Sequence, residues 1–435
     1  MIKGDEHLVK TDKKPLVGFF PLTYNLAETG RAILVAKRYV DLGGRVIFFS
    51  HGGKYEGLIK ENNFEIKKIK PFFSEEIVKE IISVNRGEKK GQPFELSYLS
   101  ESVKEEIKAY KKLNVKLIVS FLNYTSSISA RAAKIPLVCV FPAPGRFHVK
   151  TPDIFNNKIT RYIPDKIKIP FVNFKYFNSK KFLKNFNIVA KENNITLFRR
   201  TLDIIYGDVN IGTNFLEFIN VFPNQQVFPK KNYVGIISLN ELFKDRFSIK
   251  KAEKIQVKIE KHLKKPGKNI LLTMGSSGDK KIFLQVISIL ENLNYNSIVV
   301  NSDILKKDEI PHTKKNVLIL DYVPSIEDLH KRVDLSIIHG GQGTVYASVY
   351  AGKPIIGIPM NSEQHLNLEK IVGHKIGFML SKKSFKEKTL TASLNYIFSN
   401  YDYFIKNSEK LSKSIPPHNG DINAAKILSK LISQK

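Results

Sequence analysis

Cysteine is nearly absent from this 435-residue chain. Its single cysteine, Cys139, excludes an intrachain disulfide and a multi-cysteine zinc site. A reducing compartment is consistent with that scarcity. No apolar run approaches the roughly 18 residues of a membrane span. The opening MIKGDEHLVKTDKKP is charged and lacks the apolar stretch of a signal peptide. A secreted, disulfide-built or membrane-spanning protein is not expected; a cytoplasmic one is. Low-complexity tracts and short repeats are missing as well. Acidic charge is scarce too: 41 Asp+Glu stand against 70 Lys+Arg, a formal net charge of +29. A field of that sign attracts nucleic acid, anionic headgroups or phosphorylated substrates, and it equally describes a chain that solvates its surface with lysine. What is present is globular in kind, with 42% hydrophobic and 26% charged residues. The length suggests two or three domains.

Strand and helix alternate in both halves. LVGFF (16–20) reads as a buried strand, PLTYNLAETG as a polar loop, RAILVAKRYVDLGG as a helix stopped by Gly43 and Gly44, and RVIFFS (45–50) as the next strand. A crossover of that length implies parallel strands. VKLIVS, SSISARAAKI and PLVCVF repeat the unit, with Cys139 as a core filler. Between Arg146 and Arg200 the periodicity fails, and thirteen Lys/Arg with only three Asp/Glu interleave with aromatics. Such a segment suits a membrane surface or an acceptor, or a loosely helical cap with its aromatics turned inward. After QQVFPKKNYVGIISLN the alternation resumes, through NILLTMGSSG, KKIFLQVISILENL, NSIVVN, NVLILDYVPS, EDLHKRV, DLSIIHGGQGT and TVYASVYAGKPIIGIP. This reads as a second doubly wound α/β sheet, and DINAAKILSKLISQK reads as an amphipathic helix. The expected division is a tail over 1–14, an N-terminal domain over 15–228, a linker over 229–247, a second domain over 248–410 and a C-terminal helix over 411–435.

In open α/β sheets, ligands bind beyond the carboxyl ends of the strands. Glycines there let the backbone approach a phosphate, and the next helix offers free N–H groups at its positive end. Two loops have this form: Gly275-Ser276-Ser277-Gly278 and His339-Gly340-Gly341-Gln342-Gly343-Thr344. Neither is a Walker A loop, since no Gly-Lys-Ser/Thr follows, and neither has the dinucleotide fingerprint with its acid about 20 residues on. Two such loops in one sheet suit a diphosphate. His339, where strand meets loop, can donate to a phosphate oxygen or simply cap the strand. Beyond the strand IIGIP, Glu363 and Gln364 pair a carboxylate with an amide, which suits vicinal hydroxyls; a polar helix start reads the same way.

The run HGGQGTVYASVYAGKPIIGIPMNSEQHLNLEKIVGHKIG closely resembles the donor-site signature of GT-B nucleotide-sugar glycosyltransferases of the UDP-glycosyltransferase family. That signature is His-Gly-Gly-x-Gly-Thr, a helix, Gly-x-Pro, an apolar strand ending in proline, then Asp/Glu-Gln-x-x-Asn. His339 to Thr344, Gly352-Lys353-Pro354, Pro359, Glu363-Gln364 and Asn367 supply it at matching spacings. LLTMGSSG, DYVPSIEDL and YVGII resemble the family's first C-domain strand, base-facing segment and linker end. The resemblance covers most of the second half well and the first half loosely. It implies two doubly wound, Rossmann-like α/β domains facing each other across a cleft, the first for the acceptor and the second for the donor. It also implies a C-terminal helix that crosses back to the first domain. Carried over, it implies that Gly275, Ser276, Ser277, His339, Gly341, Gln342, Gly343 and Thr344 hold the diphosphate, that Val323 lies against the base, and that Glu363 and Gln364 bind donor-sugar hydroxyls.

Two positions depart from the family. Its ribose-binding glutamate, eight residues after the signature histidine, is Ala347 here, beside Ser348. Its N-domain catalytic histidine aligns with Glu28, with Arg31 three residues on, and the nearest strand end offers Ser120 and Asn123 where the family has an aspartate. Glu28 is therefore the candidate base, because burial can raise a carboxylate toward neutrality; capping the next helix or pairing with Arg31 is its alternative role. The chain contains no Asp-x-Asp, so no metal is invoked, and no cofactor is expected beyond a nucleoside-diphosphate sugar as co-substrate. The expected function is metal-independent, inverting transfer of a hexose from that donor, with UDP as the expected nucleotide, to a hydroxyl of a lipid or small-molecule acceptor. An anionic membrane surface is a further candidate partner; nucleic acid is not expected. Two alternatives remain. One is a nucleotide-sugar epimerase on the same architecture, which would lack the Pro359-to-Asn367 signature. The other is a non-enzymatic binder of nucleotide, lipid or nucleic acid on a decayed fold, although no nucleic-acid motif is visible.

Overall fold

The computed structural model describes residues 14–85, 91–143, 145–242, 249–275, 278–293 and 295–433, so Ser276 and Ser277 lie outside the described residues. Among these, twelve strands form two parallel six-stranded sheets. The first contains β1 (Leu16–Pro21), β2 (Arg45–Ser50), β3 (Ile66–Lys68), β4 (Leu117–Phe121), β5 (Leu137–Phe141) and β6 (Val209–Gly212), in the order β3-β2-β1-β4-β5-β6. The second contains β7 (Asn269–Thr273), β8 (Asn296–Val300), β9 (Val317–Leu320), β10 (Leu335–Ile338), β11 (Ile355–Gly357) and β12 (Gly377–Met379), in the order β12-β11-β10-β7-β8-β9. Counted within its own half, each sheet runs 3-2-1-4-5-6. That is the doubly wound order, and its direction reverses between the first and fourth strands. The reversal opens a crevice beyond β1 and β4 in one sheet and beyond β7 and β10 in the other. Both glycine loops therefore start at the same switch point, one after β7 and one after β10.

The central strands are apolar on both faces because helices cover both faces of a parallel sheet. Val17, Phe19 and Phe20 in β1 and Leu335, Ile337 and Ile338 in β10 are fully shielded. The first helix starts earlier than its apolar pattern indicates. Asn25 accepts hydrogen bonds from the N–H groups of Ala27 (2.9 Å) and Glu28 (3.4 Å), so the helix spans Leu26–Asp41. Glu28 thus lies in a first helical turn, just beyond β1, and not in a loop.

The C-terminal region is two helices, Tyr401–Ser414 and Gly420–Ser433, with Pro416-Pro417 between them. The second packs on Leu26–Asp41: Ala424, Ala425 and Leu428 join the first domain's core, and Arg38 Nε donates to Asp421 at 2.7 Å. The Arg146–Arg200 segment contains helices Asp165–Phe177 and Leu183–Glu192. Its aromatics divide: Phe147, Phe186 and Phe198 are buried, whereas Tyr162, Phe171 and Phe174 face outward. Among the described residues, no helix is long and apolar enough to cross a membrane.

Candidate active site

The turn after β10 is built around the His339 ring. The side chain is buried, and both glycine loops press on it: a Cβ on Gly341 would collide with Nε2, and one on Gly275 would lie 3.2 Å from Cε1. Gly340 adopts φ +90°, a conformation that favours glycine. From Gly341 the chain enters the helix Gln342–Tyr350, whose first N–H groups have no partners within the helix. Gly343 is exposed, and a Cβ there would meet nothing within 4 Å. Thr344 Oγ1 donates back to the Gly341 carbonyl at 3.0 Å. Burial pulls the His339 imidazole down to about 4, so the ring is neutral near pH 7. Its Nδ1 has no hydrogen-bond partner among the described residues, and an unsatisfied buried nitrogen of this kind calls for an explanation.

One helix supplies the next residues. In Ser362–Gly373, Asn367 Nδ2 donates both to Glu363 Oε1 (2.7 Å) and to the Gly340 carbonyl (3.0 Å). The Glu363 carboxylate is thereby tied to the glycine loop. Gln364 Oε1 accepts from the Met360 N–H at 2.8 Å. Gln342 turns its side chain the other way: Nε2 donates to the Thr213 carbonyl (2.7 Å), and Oε1 accepts from Thr213 Oγ1 (3.3 Å) just past β6. That side chain latches the two domains, leaving its backbone N–H for the helix start. Val323 packs against the cluster containing Leu320 and Leu329. Ala347 is buried, and Ser348 donates to the Thr344 carbonyl at 3.0 Å and meets His330 Nδ1 at 3.0 Å. Neither brings a carboxylate to a ribose.

The first domain contributes a buried ion pair. Arg31 Nη1 donates to Glu28 Oε1 at 2.7 Å, and Glu28 Oε2 has no partner among the described residues. Burial lifts the Glu28 carboxyl above its ordinary value, with Arg31 opposing the shift. Burial also lifts Glu363, to about 7; Asn367 and Arg31 pull it back and Glu28 pushes it further up. Glu28, Arg31 and Glu363, from two domains, thus form one electrostatic unit. A carboxyl raised to about 7, as Glu363 is, can exchange a proton near neutral pH.

Two further groups escaped the sequence reading. His51 Nε2 lies 2.7 Å from Glu106 Oε1, Nδ1 faces the carbonyls of Ile69 and Pro71 at 3.1 Å, and Glu106 also accepts from the hydroxyls of Thr125 and Ser129. Phe20 and Phe73 rings flank this imidazole, and the pair, almost fully shielded, braces the strand ends. The His51-Gly52-Gly53 run after β2 was its only sequence signal. Glu369 accepts from the backbone N–H groups of His148 (2.8 Å), Val149 (3.0 Å) and Lys150 (2.9 Å). It joins the helix that carries Glu363 to the start of the basic segment, and nothing in the sequence marks it.

Residues 269–418 match the glycosyltransferase family 28 C-terminal domain. The chain is 26% identical over 148 residues to a PGL/p-HBAD biosynthesis glycosyltransferase of Mycobacterium tuberculosis (strain ATCC 25177 / H37Ra), covering 34% of this chain and 33% of that protein. It is 24% identical over 168 residues to the uncharacterized UDP-glucosyltransferase YojK of Bacillus subtilis (strain 168), covering 38% and 41%. The chain thus spans less than half the length of these curated relatives. Among solved structures, the glycotransferase of kitacinnamycin superposes on 96% of this chain and 99% of its own, with a TM-score of 0.64 at 14% identity. The chain has the GT-B fold of nucleotide-sugar glycosyltransferases. Both Rossmann-like halves of this GT-B protein take part in the superposition. The family match falls on the half that carries both glycine loops, Glu363 and Gln364.

Proposed function

We propose that this GT-B protein is a metal-independent, inverting glycosyltransferase that moves a hexose from a nucleoside-diphosphate sugar, with UDP as the nucleotide, to a hydroxyl of a lipid or small molecule. The observation that carries the reading is the convergence of two glycine loops on His339, with the Glu28–Arg31 pair acting on Glu363 from the other domain. The donor diphosphate lies at the start of the helix Gln342–Tyr350. Free N–H groups and the helix dipole there stabilise the charge that develops as the anomeric C–O bond breaks. Neutral His339 adds one donor to a phosphate oxygen. Glu363 and Gln364 hold sugar hydroxyls. The acceptor oxygen forms the new bond to the anomeric carbon from the opposite face, its proton passes to Glu28 Oε2, and the electron pair of the broken bond leaves with the nucleoside diphosphate. Arg31 holds the other carboxylate oxygen in place.

Positioned general bases contribute about 10²–10⁴-fold. Glu28→Gln should therefore lower the transfer rate by about two orders of magnitude or more while leaving the thermal shift produced by the donor intact. An unchanged rate removes Glu28 as the base. A protein that binds nucleic acid in a salt-dependent way, and no nucleotide sugar, returns the reading to a non-enzymatic binder.

A further inference from the structure

The stretch from Ile154 to Phe177 reverses the usual polarity of a surface element. Along the helix Asp165–Phe177, Lys168 points inward, with Nζ 2.8 Å from Asn156 Oδ1 and 3.2 Å from Asp165 Oδ1. Val172, also inward, packs with Phe147 and with Leu366 of the donor domain. The opposite face is apolar and open to water. Ile167, Phe171 and Phe174 are 66%, 59% and 66% exposed, at spacings that share one helical face. Just before the helix, Ile159 and Tyr162 are likewise 78% and 74% exposed. A lysine inside and large apolar side chains outside is the informative departure from ordinary burial, and a contiguous patch of this kind marks a contact surface.

The charge around the patch indicates what it contacts. Lys158, Arg161, Lys166 and Lys175 are all exposed beside it. Arg161 lies over the Tyr162 ring at 4.6 Å, and Lys175 over the Phe171 ring at 4.7 Å. Cations and apolar groups therefore share one face, in a chain whose net charge is +29. Apolar side chains that enter the acyl boundary, with Lys and Arg at the level of the phosphates, are the chemistry of an interfacial helix on anionic lipid. The patch is tied to the second domain. Glu369 caps the backbone at 148–150, and Asp153 accepts from Ser381 Oγ (2.8 Å) and from the Lys383 N–H (3.1 Å). We propose that this face docks the protein on an anionic bilayer surface, beside the helix that carries Glu363. The docking goes beyond the transfer reaction and does not depend on it.

The test is flotation of the full chain with phosphatidylcholine vesicles, with and without phosphatidylglycerol. The wild type should float with the anionic vesicles at low salt and be released as salt rises. The triple variant Ile167→Asp/Phe171→Asp/Phe174→Asp should lose at least about tenfold in vesicle affinity. Because these side chains are exposed, it should keep the wild-type Tm and its thermal shift with a nucleotide sugar, so failure of docking is read separately from failure of transfer. Lys158→Glu/Lys166→Glu/Lys175→Glu should lose the anionic preference. Absence of flotation at low salt, or equal flotation of wild type and triple variant, overturns the proposal. So does a lipid-free dimer that the triple variant abolishes, since the face would then belong to a second copy of the chain.

Discussion

At the scale of single residues, Glu363 sets a pH dependence near neutrality. Its folded pKa is raised to about 7, mainly by burial, above an unfolded value of about 4.3. The folded state therefore holds this proton more tightly, and its contribution to stability is present below the unfolded value and lost as pH rises through about 7. Binding follows the opposite sign, because only the ionised carboxylate accepts two sugar hydroxyls. Donor affinity measured by calorimetric titration should rise between about pH 6 and about pH 8, and Glu363→Gln should flatten that rise; an equally steep rise in the variant contradicts the role. Gly343 separates structure from function in another way. A methyl there meets nothing and improves helix propensity, so Gly343→Ala should raise stability by up to about 1 kcal/mol. In the proposed donor site the same methyl stands where a phosphate approaches the backbone, so donor affinity should fall. A stabilised variant with unchanged affinity would place the phosphate elsewhere.

At the scale of elements, the helix Ser362–Gly373 both carries Glu363 and Gln364, the pair proposed to bind the sugar, and anchors the basic segment through Glu369. Burial works against that carboxylate, but hydrogen bonds from His365 and from the Lys150 N–H outweigh it and hold the pKa below the ordinary value. Its stabilisation is present above the unfolded value and is lost as pH falls through the lowered one. Glu369→Ala strands three backbone N–H groups and should cost about 3 kcal/mol near neutral pH, with the deficit narrowing in acid when followed by urea unfolding. What was legible at this scale followed length and pattern. β1, β2, β7 and β10 are continuous apolar runs and were readable as such. β3 (Ile66–Lys68) and β12 (Gly377–Met379) are three residues each, too short for any period, and exist because a neighbouring strand pairs with them. The first helix was read late because Asn25, its cap, and Glu28 look like loop residues. For the Arg146–Arg200 segment the sequence allows both a membrane- or acceptor-facing surface and a cap with its aromatics turned inward. Both occur: Phe147, Phe186 and Phe198 are buried, whereas Tyr162, Phe171 and Phe174 are exposed, and Lys168 and Val172 take inward positions of their helix.

At the scale of the molecule, the two glycine loops were legible because strand order and the switch-point rule place ligand loops before any contact is known. The electrostatic influence of Glu28 and Arg31 on Glu363 was not, because it depends on how two separately folded sheets face each other. Nor was the Gln342–Thr213 latch that helps to hold that arrangement, whereas the return of the C-terminal helix to the first domain was implied by the family resemblance and is seen in Gly420–Ser433. The account rests on one ligand bridging these parts. Its most direct test is a thermal-shift titration across UDP-, dTDP- and GDP-sugars with wild type, His339→Ala and Glu28→Gln. At least one donor should raise the wild-type Tm with the logarithmic concentration dependence of a single site. Glu28→Gln should respond alike, and His339→Ala should respond far less. No response to any nucleotide sugar, or an undiminished response in His339→Ala, contradicts a diphosphate held at the His339 loop.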